Sequence, residues 1–173
     1  MSKTIENLQA AFAGESQARN KYTYFAKIAR KEGYQYIADI FEETAENECR
    51  HAKDHFKLLG GLGTTEKNLE AALEGEHYEV TSMYPKFAEE AEAEGNKEAA
   101  ALFRQIARAE AAHEMRYRKL LEMVKNNTVY KRDTAIRWKC LKCGLIHEGT
   151  EPPKICPACK HPLQYFAPAN MDI

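Results

Sequence analysis

The chain has 173 residues, of which 44% are hydrophobic and 29% are charged, enough for one sizeable domain and a small module. Its formal net charge of −1 gives no electrostatic case for a nucleic-acid or membrane partner. No apolar run approaches the ~18–20 residues of a membrane span, and the first residues show no signal-peptide pattern. Because four of the five cysteines lie in paired motifs typical of metal sites, we expect a cytoplasmic protein.

Apolar periodicity and glycine stops predict four long helices followed by a region of short strands. The helices are expected at about 3–31, 34–59, 66–94 and 97–126, with Gly33, Gly60 and Gly95 as stops. Short strand-like pieces then follow at 129–130, 136–138 and 164–166. The sequence therefore predicts an all-α four-helix bundle in 1–128, a linker in 129–135 and a small β module in 136–173.

The two predicted helix pairs are copies of one another. The pattern in 7–15 recurs in 68–76 at an offset of 61, and that in 22–33 recurs in 84–95 at an offset of 62. The second copy therefore has one extra residue between Glu76 and Tyr84, which a helix commonly absorbs as a π-bulge. Pro85 follows at once, and we expect it to kink the helix.

Each copy carries one Glu on its first helix and a Glu-x-x-His pair on its second. Glu and His three residues apart share a helix face, and these Glu fall in apolar stripes, where an unpaired carboxylate is costly to bury. Glu79, whose counterpart at offset 61 is Ala18, adds a carboxylate that the first copy lacks. Such carboxylate-rich ligand sets hold two metal ions in four-helix bundles. The predicted ligands are Glu15, Glu48, His51, Glu76, Glu79, Glu110 and His113.

Other aromatic and imidazole groups near these positions are weaker candidates. Tyr22 and Tyr84 hold matching places and could hydrogen-bond to ligand carboxylates, the alternative being ordinary core packing. His55 and His77 are expected to be structural or surface residues. Mixed carboxylate and imidazole ligation favours iron or manganese, and the sequence leaves that choice open.

The cysteines form a second metal motif, Cys140-x-x-Cys143 and Cys156-x-x-Cys159. Four thiolates hold either zinc or a single iron ion. The surroundings, with Trp138 just before the first pair, resemble rubredoxin and favour iron. Lys160 follows the last cysteine where rubredoxins usually have glycine, so it would have to adopt a strained turn. Cys49 is left without an expected role.

Taken together, these motifs resemble the rubrerythrin family over essentially the whole chain. The resemblance is carried by 14–18 (Gly-Glu-Ser-Gln-Ala), Glu48-x-x-His51, Glu76-x-x-Glu79 with 83–85 (Met-Tyr-Pro), Glu110-x-x-His113 and the four cysteines. It implies a ferritin-like bundle with a non-haem di-iron centre and a rubredoxin-like domain with a mononuclear iron–cysteine centre.

The resemblance also implies particular roles. Glu48 and Glu110 would bridge the irons, Glu15 would be terminal on one iron, and Glu76 and His113 would bind the other. The first iron would be ligated by Glu79 when oxidised and by His51 when reduced. The implied activity is a peroxidase that reduces hydrogen peroxide to water and protects against oxidative stress. Electrons would come through the iron–cysteine centre from an external NAD(P)H-dependent donor such as a rubredoxin reductase.

The connection between the second and third helices predicts a dimer. In a ferritin-like bundle these helices run parallel, so the connection must cross ~31 Å, whereas six extended residues reach ~22 Å. We therefore expect a domain-swapped homodimer in which each iron pair takes Glu15, Glu48 and His51 from one chain and the remaining ligands from the other. Three alternatives stay open: a ferroxidase or iron-handling protein, a manganese or oxygen-activating enzyme, and a zinc-ribbon scaffold.

Overall fold

A computed structural model describes residues 2–170. Its helices are α1 (Lys3–Lys31), α2 (Gln35–Leu58), α3 (Thr65–Tyr78), α4 (Tyr84–Ala93) and α5 (Lys97–Lys125), with a π-helical turn, Glu79–Met83, between α3 and α4. The expected four long helices and small C-terminal strand region are confirmed, because α3, the π turn and α4 together make up the third predicted helix. The chain divides into two compact units, one ending at Gly63 and the other beginning at Thr64.

The first unit is a hairpin of α1 and α2. Gly33 allows the chain to reverse because it takes a positive φ of 90°, which side chains other than glycine rarely adopt. Small buried residues, Ala26 and Ala38 among them, let the two helices pack closely. The rings of Phe25 and Phe41 lie 5.6 Å apart, centroid to centroid, and join the two helices.

The second unit repeats this hairpin in α4 and α5. Phe87 and Phe103, the repeat partners of Phe25 and Phe41, have ring centroids 5.7 Å apart. Tyr84 and Phe103 are separated by 6.1 Å, the same distance as Tyr22 and Phe41 in the first unit. The duplication read from the sequence is therefore also present in the side-chain packing.

The π turn lies where the extra residue was expected. Within it, the Thr81 hydroxyl donates a hydrogen bond of 2.7 Å to the carbonyl of His77, which satisfies an acceptor near the bulge. Pro85 falls in the first turn of α4, where its missing N–H group costs least. The insertion is thus accommodated without breaking the helix into separate pieces.

The C-terminal module is a three-stranded antiparallel sheet in the order β2-β1-β3. Its strands are β1 (Ile136–Cys140), β2 (Ile146–Gly149) and β3 (Phe166–Pro168). Trp138, Cys140, Cys156 and Phe166 form its buried core. The strand predicted at 129–130 is wrong, because these residues form a turn closed by a 3.1 Å hydrogen bond from Lys131 N–H to Thr128 C=O. Within residues 2–170, no strand pairs with them.

Arg132 ties the segment before the sheet to the module core. Its Nη1 donates to the carbonyls of Thr128 and Lys131 at 3.0 and 2.6 Å, and its guanidinium carbon Cζ lies over the Trp138 ring, 5.3 Å from the ring centroid. The Trp138 indole in turn donates to Gly149 C=O at 2.9 Å. Across residues 2–170, the helices are too short or too polar to cross a lipid bilayer.

Candidate metal centres

The first candidate centre lies in the α1–α2 hairpin. Glu15 projects from α1, and Glu48 and His51 project from one face of α2, so that their ligand atoms all lie within 4.8 Å of one another. His51 Nδ1 is 2.8 Å from Glu48 Oε2. The Glu48 side chain is 17% exposed and His51 is 56% exposed. We call these three residues the first cluster.

The second cluster is its repeat partner. Glu76 comes from α3, and Glu110 and His113 come from α5, again with ligand atoms within 4.8 Å of one another. His113 Nδ1 lies 2.5 Å from Glu110 Oε2 and 3.8 Å from Glu76 Oε2. Six of the seven predicted helical ligands thus fall into two equivalent groups, three in each unit.

The electrostatics of the second cluster call for a cation. Burial raises the pKa of Glu76, and the neighbouring Glu110 raises that pKa further through a hydrogen bond and its charge. Among residues 2–170, no Lys or Arg forms an ion pair with either cluster, and the partners of these carboxylates are His51 and His113. Oxygen and imidazole donors crowded in this way fit iron.

Glu79 lies beside the second cluster but is not one of its three closely grouped members. Its charge contributes to the raised pKa of Glu76 and to that of Tyr84, whose pKa is raised first by burial and then by Glu79, Glu110 and Glu76. The Tyr84 phenol therefore faces the carboxylates. Within residues 2–170 neither Tyr84 nor Tyr22 has a hydrogen bond at its hydroxyl, so their role toward the ligands stays a prediction.

One charged residue beside the second cluster was missed from the sequence. Glu114 is only 15% exposed and lies between His77, at 3.2 Å, and Arg118, at 2.6 Å. The hydrogen bond from Arg118 is the largest cause of its lowered pKa. The signal was available, since Glu114 aligns with Ala52 at offset 62. His77 is largely exposed and outside the clusters, which agrees with the surface role expected for it.

The four paired cysteines converge at one point of the C-terminal module. Their Sγ atoms all lie within 4.8 Å of one another, with Cys140 and Cys159 3.6 Å apart and Cys143 and Cys156 3.7 Å apart. A tetrahedral ion with metal–sulfur bonds of about 2.3 Å requires S···S separations of roughly 3.8 Å. The spacing therefore fits a single tetrahedral metal ion.

Two equivalent loops present these thiols. Cys140 N–H donates to Leu145 C=O and Cys156 N–H donates to His161 C=O, both at 2.8 Å. Gly144 and Lys160 occupy the same place in the two loops, with φ of 78° and 62°. Lys160 thus adopts the left-handed turn expected from its position, and its ammonium donates a 2.9 Å hydrogen bond to Pro157 C=O.

The thiols are poised to bind a cation. Burial acts to raise the pKa of Cys140, but backbone N–H donors from Cys143 and Lys142 outweigh it and lower the pKa to about 6. At Cys159 the His161 N–H acts to lower the pKa, yet burial and the neighbouring thiols raise it to about 12. The Cys140 thiolate thus forms readily, whereas the Cys159 thiolate requires a nearby positive charge, which a bound metal ion supplies.

Comparison with known proteins gives the family. A model described as rubrerythrin matches residues 6–121, and one described as the rubrerythrin rubredoxin-like domain matches residues 138–167. Rubrerythrin-1 of Clostridium acetobutylicum is 51% identical, over 95% of this chain and 93% of the relative. Rubrerythrin of Porphyromonas gingivalis is also 51% identical, over 99% of this chain and 92% of the relative.

A solved structure of partially reduced nigerythrin is 35% identical, covering 97% of this chain and 87% of that chain, with a TM-score of 0.38. The sequence matches, rather than this superposition, carry the assignment. The chain therefore belongs to the rubrerythrin family, a family of oxidoreductases known for oxidative-stress protection, and its cofactors are a di-iron centre and a rubredoxin-type iron centre.

Proposed function

We propose that this protein is a peroxidase that reduces hydrogen peroxide to water. The observation that carries the proposal is that one chain combines two equivalent carboxylate–histidine clusters with a four-cysteine cluster. The helical ligands alone would suit a ferroxidase or iron-handling protein, which has no need of a thiolate iron centre. A thiolate iron centre in the same chain would supply a route for electrons from an outside donor.

We assign the di-iron ligands to the two clusters together with Glu79. Glu48 and Glu110 occupy equivalent places in the two units and would bridge the metals. A metal pair held by these residues would supply the two electrons needed to cleave the O–O bond without release of hydroxyl radical. The surrounding carboxylates balance the metal charge, and Glu79 makes the two halves unequal because Ala18 stands at its counterpart.

His51 and Glu79 are the two ligands through which this asymmetry would act. His51 is half exposed, and Glu79 begins the π turn, a feature often found at functional sites. We propose that they exchange at one metal position, Glu79 binding in the oxidised state and His51 in the reduced state. Tyr84, whose phenol faces the carboxylates, would orient them by hydrogen bonding, and Tyr22 would do so in the other half.

A domain-swapped homodimer would bring the clusters together. Glu48 lies ten residues before the end of α2, and Glu76 lies eleven residues after the start of α3. If the two helices run parallel with Glu48 and Glu76 at the same height, the end of α2 and the start of α3 are separated by ~31 Å along the helix axis. The six residues 59–64 connect α2 to α3, and seven extended steps reach at most ~25 Å. Pairing the first unit of one chain with the second unit of another removes this conflict.

The four-cysteine centre would relay electrons from an external NAD(P)H-linked donor, such as a rubredoxin reductase, to the di-iron site.

The test is anaerobic: the iron-loaded protein is reduced, one equivalent of hydrogen peroxide is added, and the visible bands of the ferric thiolate centre are followed. We expect these bands to return faster with peroxide than with dioxygen. Cys49→Ser is the matched control, because Cys49 lies outside the metal clusters and should leave the response unchanged.

The same experiment separates the alternatives. A normal thiolate spectrum that does not respond to peroxide would contradict the peroxidase proposal and favour a ferroxidase or iron-handling role. A colourless protein with zinc at the cysteines would remove the electron relay.

Cys159→Ser should abolish the thiolate bands while the helical site still binds two irons. That result would show that the two centres are built separately.

A further inference from the structure

The two cysteine loops expose a surface with an apolar centre and a cationic edge. Leu141 and Ile155 are 56% and 59% exposed. Cys143 is the exposed member of the four-cysteine cluster, whereas Cys140 and Cys156 are buried. We call this surface the loop face; it consists of Leu141, Lys142, Cys143, Lys154, Ile155, Lys160, His161 and Tyr165.

Contacts centred on Tyr165 connect one side of this surface. Leu141 N–H donates to Tyr165 C=O at 2.8 Å, and the Lys142 ammonium lies 4.8 Å from the centre of the Tyr165 ring. The His161 ring meets the same tyrosine edge-on, with centroids 5.0 Å apart. On the other side, Lys154 C=O accepts a hydrogen bond from Leu163 N–H, which holds the neighbouring Ile155 in place.

The charge of the loop face is uniformly positive. Among residues 2–170, Lys142, Lys154 and Lys160 form no ion pair with a carboxylate. The carboxylates of the described module lie elsewhere: Glu148 is opposite Arg137 in the β1–β2 ladder, and Glu151 is 3.9 Å from Lys131. The module's negative charges therefore lie at the start of β1 and the preceding segment, leaving the loop face without any.

Unpaired surface lysines are most often simply hydrated, so cations alone would mean little. Here Lys142 and Lys154 are the sequence neighbours of the exposed aliphatic residues Leu141 and Ile155, in the two loops that hold the thiolate centre with its exposed Cys143. An apolar centre with a charged rim is the usual anatomy of a protein interface, and charge on the rim accelerates the encounter with a partner of opposite sign. The geometry thus provides both a contact area and a steering field next to the thiolate.

We propose that the loop face is the docking surface for a small electron-carrier protein with acidic residues around its own redox group. The proposal rests on the function proposed above, because it names the partner of the relay centre. Each encounter transfers one electron: the carrier is oxidised by one electron, the thiolate-bound ferric ion is reduced to ferrous, and no covalent bond forms or breaks. Two such transfers, together with two protons taken up from the buffered solvent, would balance the conversion of one hydrogen peroxide to two water molecules.

Reduction of the thiolate centre in the iron-loaded, full-length protein tests this directly, without peroxide. The probes are fully reduced flavodoxin, a small acidic flavoprotein, and the methyl viologen radical, a small cation. The Lys142→Glu/Lys154→Glu variant is compared with Lys131→Glu/Arg137→Glu, which makes the same charge change away from the loop face. Lys142→Gln/Lys154→Gln provides an intermediate step with less risk to folding, and the thiolate absorption bands check that each variant is correctly built.

We expect the loop-face variant to react with flavodoxin roughly tenfold or more slowly at low salt, with the difference shrinking as ionic strength rises. Its reaction with methyl viologen should be unchanged or faster, and the control variant should resemble the unmodified protein. Equal slowing with both reductants would mean that the lysines act on the potential of the iron and would overturn the docking proposal. So would equal slowing in the control variant, which would indicate a general charge effect.

Failure of the peroxidase proposal would look different. In that case the reduced protein would not respond to peroxide, yet the charge dependence of flavodoxin reduction would remain.

Discussion

Mixing two inactive variants tests how the di-iron sites are assembled. Glu48→Ala removes a proposed bridging ligand from the first unit, and Glu110→Ala removes its counterpart from the second. In a domain-swapped dimer that contains one chain of each kind, one site receives both defects and the other receives none. In an unswapped protein every site keeps one defect, so mixing restores nothing.

The size of the recovery follows from the geometry. Random pairing makes about half of the dimers mixed, and one of the two sites in each mixed dimer is intact, so peroxidase activity should return to about one quarter of the unmodified level. Purification of the mixed dimer with two different tags should raise this to about one half per dimer. Activity is measured as anaerobic peroxide-dependent reoxidation of the thiolate centre.

A matched mixture controls for unspecific rescue. Glu15→Ala and Glu48→Ala both alter the first unit, so each site of their mixed dimer still lacks one ligand and no activity should return. The reasoning is refuted if the Glu48→Ala and Glu110→Ala mixed dimer forms, as shown by the two tags, and remains as inactive as its parents. Far-ultraviolet circular dichroism establishes that each parent variant keeps its helices.

Three further changes probe single features. Gly144→Ala should destabilise the iron-loaded module by about 1–2 kcal/mol in denaturant unfolding. The φ of Gly144 is 78° and the added methyl group would meet no atom within 4 Å, so the cost is backbone strain alone. An unchanged free energy of unfolding would contradict this. Arg132→Ala should speed hydrogen exchange at residues 128–132, since it removes the carbonyl hydrogen bonds and the contact with Trp138, and Arg132→Lys should be intermediate. Glu79→Ala should lower the pKa of the Tyr84 phenol in the metal-free protein, because a neighbouring negative charge is lost; ultraviolet titration measures it, and Glu74→Ala should leave it unchanged.

The helices could be predicted because their signals are local. Apolar periodicity placed the helix ends within a residue or two. Glycines also marked the ends of α1, α2 and α4, and these residues, Gly33, Gly60 and Gly95, all have positive φ. The π turn could be predicted for a different reason, namely that a duplicated sequence provides an internal alignment. The one-residue slip between the copies marked the insertion between Glu76 and Tyr84 without any structural information, and the π turn lies within that interval, at Glu79–Met83.

The small sheet was harder to predict because its strands depend on partners distant in sequence. Val129 and Tyr130 are good strand formers, yet they form a turn, whereas β2 at Ile146–Gly149 was not expected at all. β2 forms because Ile146–Gly149 pairs with β1 and because the Gly149 carbonyl accepts the hydrogen bond from the Trp138 indole. The strand preferences of the individual residues do not predict this pairing.

The differences between the two copies bear on how the chain avoids mispairing its helices. Arg30 pairs with Glu42 in the first hairpin, and their equivalents in the second are Glu92 and Arg104, which pair at 2.7 Å with the charges exchanged. If α1 packed on α5 in the same register, Arg30 would face Arg104, and α4 packed on α2 would bring Glu92 against Glu42. Like charges disfavour both errors, although each exposed pair adds little stability by itself. The copies are thus alike enough to build equivalent clusters and different enough for each helix to select its own partner.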